Sequence, residues 1–142
     1  MNMNELQNMI KVDSKVDITK LDTDSVEAPY VYGRYITIHA TEKAYLLKYK
    51  KDMKVLFKEK TAYYRGDADP EIYEKNPLHI SILKSQVPGY VESDSGVQNL
   101  QEKIDIQEIK VDMISDFIYN LRQKTFHIKN AIEFMKFKNG LI

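Results

Sequence analysis

The sequence predicts an all-α protein, with a long N-terminal helix and a long C-terminal helix joined by an irregular connection. Three observations carry this expectation. Heptads counted from Val97 place Val97, Leu100, Ile104, Gln107, Val111, Ile114, Ile118, Leu121, Thr125, Ile128, Ile132 and Met135 at the a and d positions, and ten of these twelve are apolar. That is the seam of a helix packing along its whole length on other helices. Between Pro29 and Arg65 the only helix-breaking residue is Gly33. The stretch 66–96 between these two patterns holds three of the four prolines, which fragments any helix there.

Taken in order, residues 5–12 place Leu6, Met9 and Ile10 at helical spacing, enough for a short amphipathic helix. Residues 13–24 are rich in Asp, Ser and Thr and read as a connection. Pro29 suits the first turn of the next helix, with Glu27 favourable beside its positive end. From Pro29 to Arg65 the expected helix spans about 55 Å at 1.5 Å per residue. Its heptads, counted from Tyr32, place seven apolar or aromatic residues among ten seam positions. Lys43, Lys50, Lys54, Lys58 and Arg65 form a stripe turned roughly 130° from that seam, at 100° per residue. One face packs and the other is basic. Lys60 is the exception, because it falls on the apolar stripe. It can snorkel outward along its aliphatic stem or line a subunit boundary.

Gly66-Asp67-Ala68-Asp69-Pro70 ends that helix. A short helix and irregular connections are expected over 70–96. Ser93-Asp94-Ser95 offers N-cap candidates for the C-terminal helix. That helix closes at Gly140, a residue able to take the left-handed C′ conformation, with Lys136 and Lys138 beside the negative end of its dipole. Ile106, Ile109 and Met113 lie opposite the main seam. A helix with apolar groups on two faces needs partners on two faces, so this helix reads as an assembly element. A central helix in a monomeric bundle is the alternative.

The length of 142 residues suits a single domain with a modest core. It divides into an N-terminal helical region (1–65), an acidic connection (66–96) and the C-terminal helix (97–142). Cys is absent, which removes disulfides and thiolate metal sites. The first ten residues lack the basic flank and apolar core of a signal peptide, and no apolar run is long enough to cross a membrane. A cytosolic protein with no membrane partner is expected. The formal net charge is zero, but the charges are segregated. Residues 43–65 carry eight basic and two acidic groups, residues 66–108 three basic and nine acidic, and residues 122–142 five basic and one acidic. A chain so divided can bind a polyanion through one face while remaining neutral in total.

The strongest chemical signal is residues 48–65, KYKKDMKVLFKEKTAYYR, in which Tyr49, Phe57, Tyr63 and Tyr64 interleave with cations. Cations track phosphates and aromatic faces stack on bases of any identity, a combination suited to single-stranded nucleic acid. The blander reading is a solvated basic face with core tyrosines. His39, His79 and His127 have no ligand-like spacing. Asp67, Asp69 and Glu71 mimic the start of a calcium loop, but Ile72 stands where Gly is needed and Leu78 where Glu is needed. No phosphate-binding glycine loop or nucleophile motif is present. No metal, cofactor or catalytic residue is therefore expected, and an enzyme is a distant reading.

At these residues the chain resembles the UvsY family of recombination mediators of T4-type bacteriophages, over nearly its whole length. Leu6-Gln7, Lys11, Asp13, Asp17 and Thr19-Lys20-Leu21 fall at matching offsets, as does Lys58-Glu59-Lys60-Thr61-Ala62-Tyr63-Tyr64 with the Gly/Asp-rich turn after it. Tyr73-Glu74-Lys75, Phe126, Ile128-Lys129 and Gly140 continue the pattern, while residues 76–96 match poorly. The resemblance implies a non-enzymatic accessory of phage homologous recombination, recombination-dependent replication and repair, working in the host cytoplasm. It would bind single-stranded DNA and load a RecA-like recombinase onto strands coated with the phage single-strand-binding protein. It also implies a ring-like homo-oligomer, a hexamer or heptamer, dependent on the C-terminal helix.

By the same resemblance Lys58 and Lys60 are the basic pair facing DNA. The family usually has Arg at the second position, and Lys60 lacks the fork for a bidentate phosphate contact. Together with the basic and aromatic pattern this gives a DNA-binding set of Lys50, Lys51, Lys54, Lys58, Lys60, Tyr63, Tyr64 and Arg65. The C-terminal seam gives an assembly set of Val111, Ile114, Ile118, Leu121, Ile128, Ile132 and Met135. The rival from another class is a scaffolding helical oligomer with no nucleic-acid role.

Overall fold

The structure, a computed structural model, describes residues 1–141. Its helices are α1 (Met3–Asp13), α2 (Leu21–Arg65), α3 (Pro70–Lys75), α4 (Val87–Glu92) and α5 (Ser95–Lys138), with 3-10 turns at Ile18–Lys20 and Lys84–Gln86. No strand occurs among the described residues, and the all-α expectation holds.

The helix ends follow from local chemistry. Asn2 and Glu5 form a capping box at α1: Glu5 N–H donates to Asn2 Oδ1 at 2.8 Å and Asn2 N–H to Glu5 Oε2 at 3.1 Å, satisfying two otherwise orphaned donors. At the end of α2 Gly66 takes φ 85°, with Gly66 N–H on Tyr63 O and Asp67 N–H on Ala62 O. At the end of α5 Gly140 takes φ 71°, with Gly140 N–H on Phe137 O and Leu141 N–H on Lys136 O. Both are Schellman closures, whose left-handed residue glycine adopts without a Cβ penalty. Asp94 caps α5, its Oδ1 accepting the Gly96 and Val97 N–H groups at 2.9 and 3.2 Å.

The start of α2 corrects the sequence reading. The helix begins at Leu21, and Pro29 lies inside it. Asp17 caps the 3-10 turn that leads into it, accepting the Thr19 N–H at 2.9 Å, Asp22 and Asp24 sit in the first turn at the positive end of the dipole, and Leu21 is buried. Of the residues read as a connection, Ser14 caps the end of α1, Asp17 caps the 3-10 turn, and Asp22 and Asp24 are first-turn acids of α2. Pro29 forgoes one backbone bond near an end these groups already hold.

The chain forms two compact units, residues 1–43 with the chain from Ile109 onward, and residues 44–108. In the first unit Leu6 of α1, Tyr35 of α2 and Ile114, Phe117, Ile118 and Leu121 of α5 form one core. Each aliphatic side chain so buried contributes about 1.5–3 kcal/mol. The Tyr35 ring meets Phe117 edge-on at 4.6 Å. Its hydroxyl donates to Asp13 Oδ2 at 2.7 Å, and Arg34 pairs with the same carboxylate. Lys110 is buried because it is answered: its Nζ lies 2.9 Å from Glu42 Oε2 and donates to Met1 O at 2.6 Å.

Of the seven residues assigned to assembly, Val111, Ile114, Ile118, Leu121 and Ile128 are buried within the protomer. Ile132 and Met135 stay partly exposed, and Phe134 and Phe137 beside them are 64% and 72% exposed. Of the opposite set, Met113 packs against the first unit's core, while Ile106 and Ile109 face outward.

In the second unit Val87, Val91 and Val97 form the core, with Met53, Leu56, Tyr64 and Ile82 packed around them. Pro70 opens α3 and Pro88 lies in the first turn of α4, positions where a missing N–H costs nothing.

Candidate nucleic-acid interface

The candidate interface belongs to the second unit and is built on α2 between Tyr49 and Arg65. Helical spacing puts Lys54, Lys58 and Arg65 on one side, with Met53, Phe57 and Thr61 in the adjoining row. They line an open cleft of about 660 Å³ with Ala62 and Asp67. Lys50, Lys51, Lys54, Lys58 and Arg65 are all exposed. Among the described residues Lys51, Lys54 and Lys58 make no ion pair, whereas Lys50 Nζ lies 3.0 Å from Glu108 and Arg65 Nε 3.6 Å from Asp67. Those two pairs are solvent-exposed and salt-screened, so a phosphate can displace them at small cost.

Lys60, Tyr63 and Tyr64 stand apart from that cleft. Lys60 Nζ is 3.4 Å from Asp94 Oδ2 and 5.8 Å from the centre of the Tyr63 ring. The Tyr64 hydroxyl donates to Asp94 Oδ2 at 2.6 Å. Tyr63 stacks on Tyr73 at 5.4 Å and donates to Asn76 O at 3.0 Å, while the Tyr73 hydroxyl donates to Tyr63 O at 2.7 Å. The paired tyrosines thus tie the end of α2 to α3 and to the start of α5. Burial raises the Asp94 carboxyl, but the Tyr64 hydroxyl, the Val97 N–H and Lys60 together hold it below the ordinary carboxylate value. Burial and the Asp94 charge push the Tyr64 hydroxyl up to about 12.

The structure therefore gathers Lys54, Lys58 and Arg65 at one cleft, leaves Lys50 and Lys51 on the exposed helix surface, and engages Lys60, Tyr63 and Tyr64 internally. Sequence reasoning treated Asp94 only as a cap candidate, yet it also holds Lys60. The placement of Lys60 on an apolar stripe was the signal that it had a partner. Phe57 stood among the interleaved aromatics, and the structure puts it in the lining of the cleft.

No cluster of three or more His, Cys, Asp or Glu arranged for a metal ion occurs among the described residues, and no helix there is long and apolar enough to cross a membrane. The described residues form an all-α protein with a cationic, aromatic-bearing helix face, and its relatives share that class of fold. The family model described as recombination, repair and ssDNA binding protein UvsY matches residues 9–141. The chain belongs to the UvsY family. The recombination protein uvsY of Enterobacteria phage T4 is 23% identical over 140 residues, covering 99% of each chain. Two crystal structures of the bacteriophage T4 recombination mediator protein UvsY share the fold. The lattice type II form has TM-score 0.85 at 22% identity, covering 98% of each chain. The type I form has TM-score 0.83 at 22% identity, covering 94% of this chain and 98% of that one.

Proposed function

We infer that this protein is a recombination mediator of a phage, working in the host cytoplasm. It binds single-stranded DNA through the basic face of α2 and promotes loading of a RecA-like recombinase onto strands coated with the phage single-strand-binding protein. The observation that carries this reading is the cleft bearing Lys54, Lys58 and Arg65 beside exposed Phe57, on a helix segment whose residues 43–65 hold eight basic and two acidic groups. Such a face binds phosphates of any sequence. The acidic stretch 66–108 repels the same ligand and confines it to the basic surface.

The reading assigns DNA binding to 1–65, connection to 66–96, and assembly of a ring-like hexamer or heptamer to 97–142. The exposed apolar side chains late in α5 are the surface such an assembly needs.

Two measurements test it. Salt-titrated binding to single-stranded DNA is expected to weaken linearly in log salt, and to weaken further when Lys54 and Lys58 are replaced by Ala. Recombinase filament growth on strands precoated with single-strand-binding protein is expected to accelerate when this protein is added. Binding without acceleration removes the loading role and leaves the binding role standing. No binding at low salt returns the protein to the scaffolding class.

A further inference from the structure

The aromatic side chains near the basic face divide into two kinds. Tyr63 and Tyr64 have their rings packed on Tyr73 and Tyr90 and their hydroxyls bonded to Asn76 and Asp94. Phe57 is 39% exposed, and among the described residues no other ring packs against it. It lines the cleft with Met53 one turn before it and Thr61 one turn after, and Lys54, Lys58 and Arg65 line the same cleft. The Thr61 hydroxyl donates to Phe57 O at 2.7 Å, so it is engaged within the helix. A protein partner covering this ring would have to desolvate three cations whose one acidic neighbour in the cleft is Asp67. An unpaired nucleotide has the matching chemistry, a flat apolar face joined to a phosphate.

We propose that Phe57 is a stacking platform for an unpaired base of single-stranded DNA, flanked by Lys54, Lys58 and Arg65 on the adjoining phosphates. This rests on the single-stranded DNA reading above and supplies the contact that prefers a single strand to a duplex. Bases in a duplex are already stacked on one another, and their faces are unavailable to a side chain. Any base satisfies the site, because every base presents a π-face.

The chain contains no Trp, so Phe57→Trp introduces a single indole emitter in the cleft lining. Its emission is expected to be quenched on titration with oligo-dT. Phe57→Leu keeps an apolar helix former but removes the π-face. It is expected to weaken binding by roughly 5- to 150-fold, the range for loss of one base–aromatic stack, with the slope against log salt unchanged. Lys58→Ala lowers that slope instead. A strand of the same length lacking bases is expected to bind the native protein and Phe57→Leu equally. Native affinity in Phe57→Leu, with indole emission unmoved on a bound strand, overturns the stacking role and leaves the DNA reading intact. If the native protein binds no single strand at low salt, both fall. If Phe57→Leu changes the native mass of the assembly, the ring is a contact between copies and the proposal is overturned.

Discussion

Lys60 Nζ lies 3.4 Å from Asp94 Oδ2, so one of the two cations expected to face DNA is already neutralised within the protomer. Lys58, two residues away, makes no ion pair among the described residues. A phosphate approaching Lys60 must compete with a carboxylate, whereas one approaching Lys58 displaces only water. Lys58→Ala is therefore expected to weaken single-stranded DNA binding more than Lys60→Ala. Asp94→Asn keeps a capping oxygen for α5, removes the competing charge and is expected to strengthen binding several-fold at low salt. Fluorescence anisotropy with a labelled strand measures all three variants. Equal losses in the two lysine variants, with no gain in Asp94→Asn, would sink the idea that the pair restrains Lys60.

The same carboxylate makes the second unit sensitive to pH at both extremes. The Asp94 carboxyl is held below its ordinary value of 3.8, so its stabilising contribution is present above that value and is lost as pH falls through the lower folded-state value. The Tyr64 hydroxyl is raised from 10.0 to about 12. Its contribution is present below pH 10 and is lost as pH rises toward 12. Thermal melts of the native protein and Tyr64→Phe are expected to differ near neutrality and to converge in strong alkali. A constant difference across that range counts against the bond.

In the first unit Tyr35 is fully buried and donates to Asp13 at 2.7 Å. Tyr35→Phe preserves the edge-on contact with Phe117 but leaves a carboxylate one donor short. A hydrogen bond to a charged group is worth about 1.5–3 kcal/mol, and denaturant unfolding is expected to show a loss of that size. DNA affinity is expected to stay unchanged, because the site lies in the other unit. A loss in affinity matching the loss in stability refutes that independence.

What was legible in the sequence, and what was not, follows from the range of each interaction. Gly66 and Gly140 mark helix ends because a left-handed C′ residue is a local requirement, met within six residues of chain. Pro29 misled for the same reason. Its local preference for a first turn was outweighed by Asp17, Asp22, Asp24 and the burial of Leu21, which together start the helix earlier. The heptads from Val97 correctly demanded a partner but could not say whose. Leu6 and Tyr35 of the same chain cover Ile114 and Ile118, and no periodicity in α5 reports that. Lys60 announced itself by lying on the wrong face. Its partner, 34 residues further on, belongs to a contact with no repeat to reveal it. Tyr63 and Tyr64 drew attention as a pair, while lone Phe57 gives no pattern beyond its cationic neighbours.

Burial also separates the α5 residues that hold the fold from those free for the proposed assembly. Ile118 sits in the core beside Leu6 and Tyr35, and Ile118→Asp buries a charge without a partner. It is expected to cost more than about 3 kcal/mol and to unfold the first unit rather than merely release subunits. Phe134→Asp with Phe137→Asp alters only exposed positions and is expected to yield folded protomers of native helicity and reduced mass. Circular dichroism paired with native mass measurement distinguishes these outcomes. A fully assembled double variant shows that subunits meet elsewhere.

That folded, dissociated variant makes the role of assembly in DNA binding measurable. One protomer offers Lys54, Lys58 and Arg65 at its cleft, and so few phosphate contacts at physiological salt place binding in the weak range, roughly 10⁻⁴ to 10⁻⁶ M. The proposed ring would repeat the same cleft around its circumference. After the first contact each later one is intramolecular, and avidity rises by about 10²–10⁴ without any new contact type. The gain exists only when the strand is long enough to reach a second cleft. A strand spanning a single site is therefore expected to bind the native assembly and the Phe134→Asp, Phe137→Asp variant alike, because neither substitution touches the cleft. A strand of several site lengths is expected to favour the native assembly by orders of magnitude at the same salt. Lys58→Ala introduced into the assembly should lower long-strand affinity more than short-strand affinity, since every cleft loses one phosphate contact. Titrations against strands of increasing length at one fixed salt read all of this directly. Identical length dependence for the native and double-variant proteins would mean that each protomer grips DNA on its own, and that the proposed ring is not the source of affinity for long strands.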